Sequence, residues 1–127
     1  MLEHAELLAF IPTIDGERAR RFYVDTLGLT FVSDDQFAIT IRSGKTDIRV
    51  SRMDAFNPAP YTILGWKVPE IAATAQQLTA AGITFERYPF LEQDPNGIWS
   101  APDGAAKVAW FKDPDGNVIS ISQHAHP

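Results

Sequence analysis

Apolar and polar positions along the chain fall into two runs that share one order of elements. In residues 6–13, Leu7, Ala9 and Ile11 lie on one side and Leu8, Phe10 and Pro12 on the other, which predicts a strand. Asp15 then stands where a helix N-cap belongs, ahead of ERARRFYVDTL, and Gly28 marks the stop. Along that helix Ala19, Phe22, Tyr23 and Leu27 recur at helical spacing, while Arg18 and Arg20 fall toward solvent. Residues 37–41 and 48–51 alternate as strands, joined by the turn-rich RSGKTD. In the second run, residues 61–68 predict a strand, and Pro69 in a first helical turn opens IAATAQQLTAAG, which Gly82 ends. Residues 83–88 predict another strand, and residues 89–106 a long loop. Residues 108–123 read as a hairpin around Asp-Pro-Asp-Gly-Asn, with Gly116 or Asn117 supplying the positive φ.

The second run thus reads β-α-β-β-β and the first β-α-β-β, taken as one module repeated with antiparallel hairpins, which makes the expected class α+β. The boundaries that follow are module one at 6–53, a Pro-containing linker at 54–60, module two at 61–123 and a tail at 124–127. A chain of 127 residues is one ordinary domain in length, and its net charge of −5 argues against nucleic acid and anionic membranes as partners. No apolar run approaches the roughly 18 residues of a membrane span, and no signal peptide is evident. The absence of cysteine excludes disulfides, thiolate metal sites and a cysteine nucleophile, and fits a cytoplasmic protein.

Three segments carry a family resemblance along nearly the whole length. IPTIDGERARRFYVDTLGL, GWKVPEIAATAQQLTAAGITFE and AWFKDPDGNVISISQ resemble the two strand–helix openings and the final hairpin of the vicinal oxygen chelate superfamily. That superfamily includes glyoxalases, bleomycin-resistance proteins and extradiol dioxygenases. The resemblance implies two βαβββ modules side by side, a curved mixed sheet around a cleft, and often a homodimer. It also implies a divalent ion held from the first and last strand of each module. Those positions fall at Leu8, Arg49, Ile63 and Ser120, and none carries a carboxylate or imidazole. Arg49 would repel a cation. No metal and no other cofactor is therefore expected.

Other ligand sets are weaker. His124 and His126 share a strand face as His-Ala-His but sit on the tail. Asp113, Asp115 and Asn117 resemble a calcium loop, yet Gly116 comes fourth rather than sixth and no glutamate closes the set. Asp34 and Asp35 read as solvated loop residues. Ser120 and Ser122 have no His–Asp arrangement to activate them.

Strand parity selects the residues for the implied cleft. Leu8, Phe10, Ile63 and Trp110 give it an apolar lining, with Thr40, Arg49, Ser51, Lys67 and Ser120 as its polar groups. Five connecting residues in the last hairpin set Lys112 opposite Val118 and hence Trp110 opposite Ser120. Trp99 and Phe90 belong to the long loop, with Tyr88 just before it, and cover a ligand, or else Trp99 plugs the end of the sheet or a dimer contact. Arg49 anchors an anionic or carbonyl group, or else forms an ordinary ion pair with Asp47 or Glu17. The leading expectation is a metal-independent binding protein for a small, partly aromatic or carbonyl-bearing molecule. A cofactor-free isomerase, lyase or hydrolase using Arg49, Lys67 or Tyr88 is the alternative, and metal-dependent glyoxalase or dioxygenase chemistry comes last.

Overall fold

Thr13 and Asp15 turn the chain out of its first strand, β1 (Leu8–Thr13), the Thr13 side chain bonding the Asp15 backbone and the Asp15 side chain the backbone of the next helix. The Thr13 hydroxyl donates to the Asp15 carbonyl and accepts from the Asp15 N–H, both at 3.1 Å. The Asp15 carboxylate then accepts from Arg18 N at 3.1 Å and caps α1 (Gly16–Arg20). The next six residues, Arg21–Thr26, wind as a π-helix rather than continuing the expected α-helix. Tyr23 is fully buried there, edge-on to Phe22 at 5.1 Å. Arg20 is not simply solvated; its guanidinium lies 3.8 Å above the Phe31 ring.

The computed structural model describes residues 1–125, so His126 lies outside the described residues. Two compact units divide at Pro58 and Ala59. In the first, β2 (Thr30–Asp34), β3 (Ala38–Ser43) and β4 (Thr46–Arg52) join β1 in a sheet of order β1-β4-β3-β2. β1 runs parallel to β4, and the other pairs are antiparallel. Ile11, Ile39, Ile41, Ile48 and Val50 form the buried face, each no more than 1% exposed. Phe37 is not among them: it precedes β3 and is 67% exposed.

The second unit repeats the topology. β5 (Thr62–Lys67), β6 (Trp99–Ser100), β7 (Ala106–Lys112) and β8 (Val118–His124) form a sheet of order β5-β8-β7-β6, again with a parallel first pair. α2 (Ile71–Ala80) packs Ile71 and Ala75 toward the buried residues of β7 and β8. Pro69 lies before the N-cap, Glu70, instead of inside the first turn, and Glu70 makes no side-chain cap. Gln123 of β8 supplies it, accepting from Ile71 N at 2.9 Å. Residues 83–88 do not form the expected strand. Glu86 ties them to β7, its N donating to the Trp110 carbonyl at 2.7 Å and its carboxylate pairing with Lys112 at 3.5 Å, while Ile83 and Phe85 are buried. The fourth strand comes from within the presumed loop, as β6.

Candidate functional site

The closing turn fixes the register on which the second unit's outer face depends. Asp113 Oδ1 accepts from Asp115 N and Asn117 N, each at 2.9 Å, and its Oδ2 accepts from Asn117 Nδ2 at 2.9 Å. Gly116, at φ 88°, supplies the left-handed position. Lys112 then stands opposite Val118 and Trp110 opposite Ser120. Ser120 also faces Gly65 on its other side, and a Cβ at Gly65 would come 2.7 Å from the Ser120 hydroxyl. One face of the sheet therefore carries Gly65, Ser120 and Trp110 in one row, and Lys67, Ser122, Val108 and Trp99 in the next. Ile63 is the extra residue of a bulge between Thr62 and Leu64, opposite no residue of β8.

Four rings run in contact at this face. Phe90 lies 5.6 Å from Tyr88, Tyr88 meets Trp110 edge-on at 5.6 Å, and Trp110 lies 6.3 Å from Trp99. Burial pushes the Tyr88 phenol above its ordinary pKa, Glu86 adding to the shift and Lys112 opposing it. Tyr88 is thus a neutral phenol at physiological pH and a poor proton acceptor.

The segment before β6 closes an open pocket of about 600 Å³ lined by Phe90, Glu92, Asp94, Ile98 and Trp99 among others. Sequence reasoning missed the residue that shapes it. Gln93 donates to the Glu86 and Gly97 carbonyls at 2.9 and 2.8 Å, and accepts from Tyr88 N at 2.8 Å. Asp94 Oδ1 accepts from Asn96 N and Ile98 N at 2.8 and 2.9 Å. These bonds satisfy backbone groups that no ladder reaches, so the segment is shaped by its own side chains. A polar residue in a presumed loop gave no signal of this.

In the first unit, cross-strand register puts Phe10, Arg49, Thr40 and Ser33 in one row across the sheet. Leu8 and Ser51 fall in the neighbouring rows of the same face. Arg49 does not pair with Asp47 or Glu17. It donates to Thr40 at 3.2 Å and to Asp35 at 3.3 Å, while Asp47 holds Arg42 at 2.7 Å. Asp34 and Asp35 are not merely solvated: Asp34 pairs with Arg52 at 3.0 Å, and Asp35 also accepts from Phe37 N and Ala38 N at 2.7 and 2.9 Å.

Those backbone donors, Ala38 first, together with Arg49 hold the Asp35 carboxyl below its ordinary pKa. Such a group stabilises the fold above its unfolded pKa, about 3.9, and loses that contribution as pH falls through the lower folded value. Asp35→Asn should therefore melt below wild type at neutral pH, with the gap closing only below about pH 4. Thermal midpoints across the acid range check this; a gap that stays constant into strong acid would show that Asp35 acts only as a backbone acceptor.

A divalent ion does not fit the positions that the family resemblance assigns to one. Arg49 is a cation already bonded to a carboxylate, Leu8 and Ile63 are aliphatic, and Ser120 offers one hydroxyl. Among the described residues, no three of His, Asp and Glu stand together as a ligand set. His124 instead lies 3.0 Å from the Ser122 hydroxyl.

Comparison with known proteins matches residues 2–121 to the model of the Glyoxalase/Bleomycin resistance protein/Dioxygenase superfamily. A solved member of that superfamily from Sphaerobacter thermophilus is 26% identical, with 98% of this chain and 100% of that one covered and a TM-score of 0.75. TnmS3, an antibiotic binding protein from Streptomyces sp. CB03234, is 22% identical over 98% and 99% of the chains, at TM-score 0.72. A glyoxalase family protein from Enterococcus faecalis is 20% identical over 96% and 99%, at TM-score 0.68. No curated protein matches the chain.

Proposed function

The chain belongs to the Glyoxalase/Bleomycin resistance protein/Dioxygenase superfamily, and from that premise we propose that it is a metal-independent binding protein for a small, partly aromatic molecule. The observation that carries this reading is the ring run Phe90–Tyr88–Trp110–Trp99, two of whose members line an open pocket of about 600 Å³. Pockets of this size with aromatic walls and a few polar groups suit ligands of drug-like dimensions. The carboxylate-bound Arg49 favours binding over carbonyl polarisation. The fold of an antibiotic binding protein lends support of a general kind.

Titration with a panel of aromatic and carbonyl compounds, read by tryptophan fluorescence, tests the proposal. Trp110 packs against Trp99 and Tyr88 behind the pocket wall, so Trp110→Ala should weaken any binder by about tenfold through loss of the support under Trp99. Prior dialysis against a chelator should change nothing. Unchanged affinity in the Trp110 variant would remove the ring run from the site, and loss of affinity on chelation would overturn metal independence.

A homodimer is part of the same proposal. Each four-stranded sheet is open, with β1 and β2 at the ends of one and β5 and β6 at the ends of the other, and open sheets favour pairing with a second copy. Light scattering at twice the chain mass is the expected result, and a monomer at all concentrations would reject it.

A further inference from the structure

The pocket before β6 has a charge character as well as a shape. Glu92 and Asp94 line it, and among the described residues no lysine, arginine or histidine does. The neighbouring cation, Arg87, is turned onto the loop backbone, donating to the Pro95 carbonyl at 2.8 Å and to the Gln93 carbonyl at 3.4 Å. Both backbone donors at Asp94 fall on Oδ1, so its second carboxylate oxygen carries no hydrogen bond among the described residues. Two π-faces stand in the same wall. Trp99 is half-buried against Trp110, and Phe90 is 79% exposed, so its ring is open to a ligand.

We propose that this pocket selects organic cations, of the substituted-ammonium or amidinium class, with the charge over the Trp99 and Phe90 rings and beside Glu92 and Asp94. Ring quadrupoles attract a cation without the desolvation cost that a buried carboxylate carries, and weakly hydrated ammonium groups gain most from such contact. The carboxylates add a field of the same sign and reject anions. This rests on the binding reading above, and it names the ligand class that the reading leaves open.

Two isosteres that differ only in charge separate the two ideas: phenyltrimethylammonium and tert-butylbenzene. The full chain is titrated with each, and binding is followed by the Trp99 indole and Phe90 ring signals in NMR spectra. The cation should bind about tenfold more tightly than its neutral twin. Glu92→Gln should weaken the cation about threefold and leave the neutral compound unchanged. Phe90→Ala, at a ring too exposed to hold the fold, should weaken the cation as well. Equal affinity for the two compounds would overturn charge selection while the aromatic binding reading stands. If neither compound moves the Trp99 and Phe90 signals, both ideas fall at this pocket.

Discussion

Asp113→Ala is expected to lower the melting temperature by roughly 10 °C, corresponding to about 3 kcal/mol for a chain of this size. The carboxylate is 5% exposed and accepts from two backbone N–H groups and the Asn117 side chain, itself 1% exposed. Alanine leaves those donors without their acceptor in a place water does not readily reach, which costs far more than the net value of a hydrogen bond. Asp113→Asn keeps an acceptor at Oδ1 and should lose only a part of this. The functional consequence follows from register, because the turn sets Trp110 opposite Ser120. Differential scanning calorimetry on the two variants decides it. If Asp113→Ala melted within about 2 °C of wild type, backbone geometry and not the carboxylate would be holding the turn.

How much of this was legible in the sequence depends on how local the determinant is. The hairpin register followed from loop length alone, since five residues between Lys112 and Val118 leave little freedom. Parity likewise put Leu8, Phe10, Thr40, Arg49 and Ser51 on one face, as the register does. The partner of Arg49 was misjudged because Asp47 is its i−2 neighbour on that face, whereas Arg42 lies directly opposite Asp47 and takes it. Cross-strand neighbours are closer than next-nearest residues along a strand. Residues 83–88 alternate and bury Ile83 and Phe85 as a strand would, yet periodicity does not say whether a ladder forms beside them. A two-residue strand such as β6 has no periodicity to read at all. Gln93 bonds to residues up to seven positions away, and the fold brings those backbone groups to its amide.

Gly97→Ala is expected to have the largest effect on the pocket, through two separate costs. Gly97 sits at φ 86°, where a side chain costs roughly 1 kcal/mol. A Cβ there would also come 2.8 Å from Phe85 Cβ, and Phe85 is held edge-on to Phe111 at 5.8 Å. That contact cannot relax by swinging a flexible side chain, so overpacking adds about 2 kcal/mol more. The strain is relieved most readily by moving the segment outward, which pulls the Gly97 carbonyl away from Gln93 and opens the pocket wall at Ile98 and Trp99. Gly104→Ala isolates the first cost, because Gly104 has φ 75° with nothing within 4 Å of its would-be Cβ. Denaturant unfolding should therefore place Gly97→Ala about 2 kcal/mol below Gly104→Ala. Phenyltrimethylammonium affinity should fall in the first variant and hold in the second. Equal destabilisation in the two would mean that Phe85 gives way freely, and the pocket wall would then owe its shape to Gln93 and Asp94 alone.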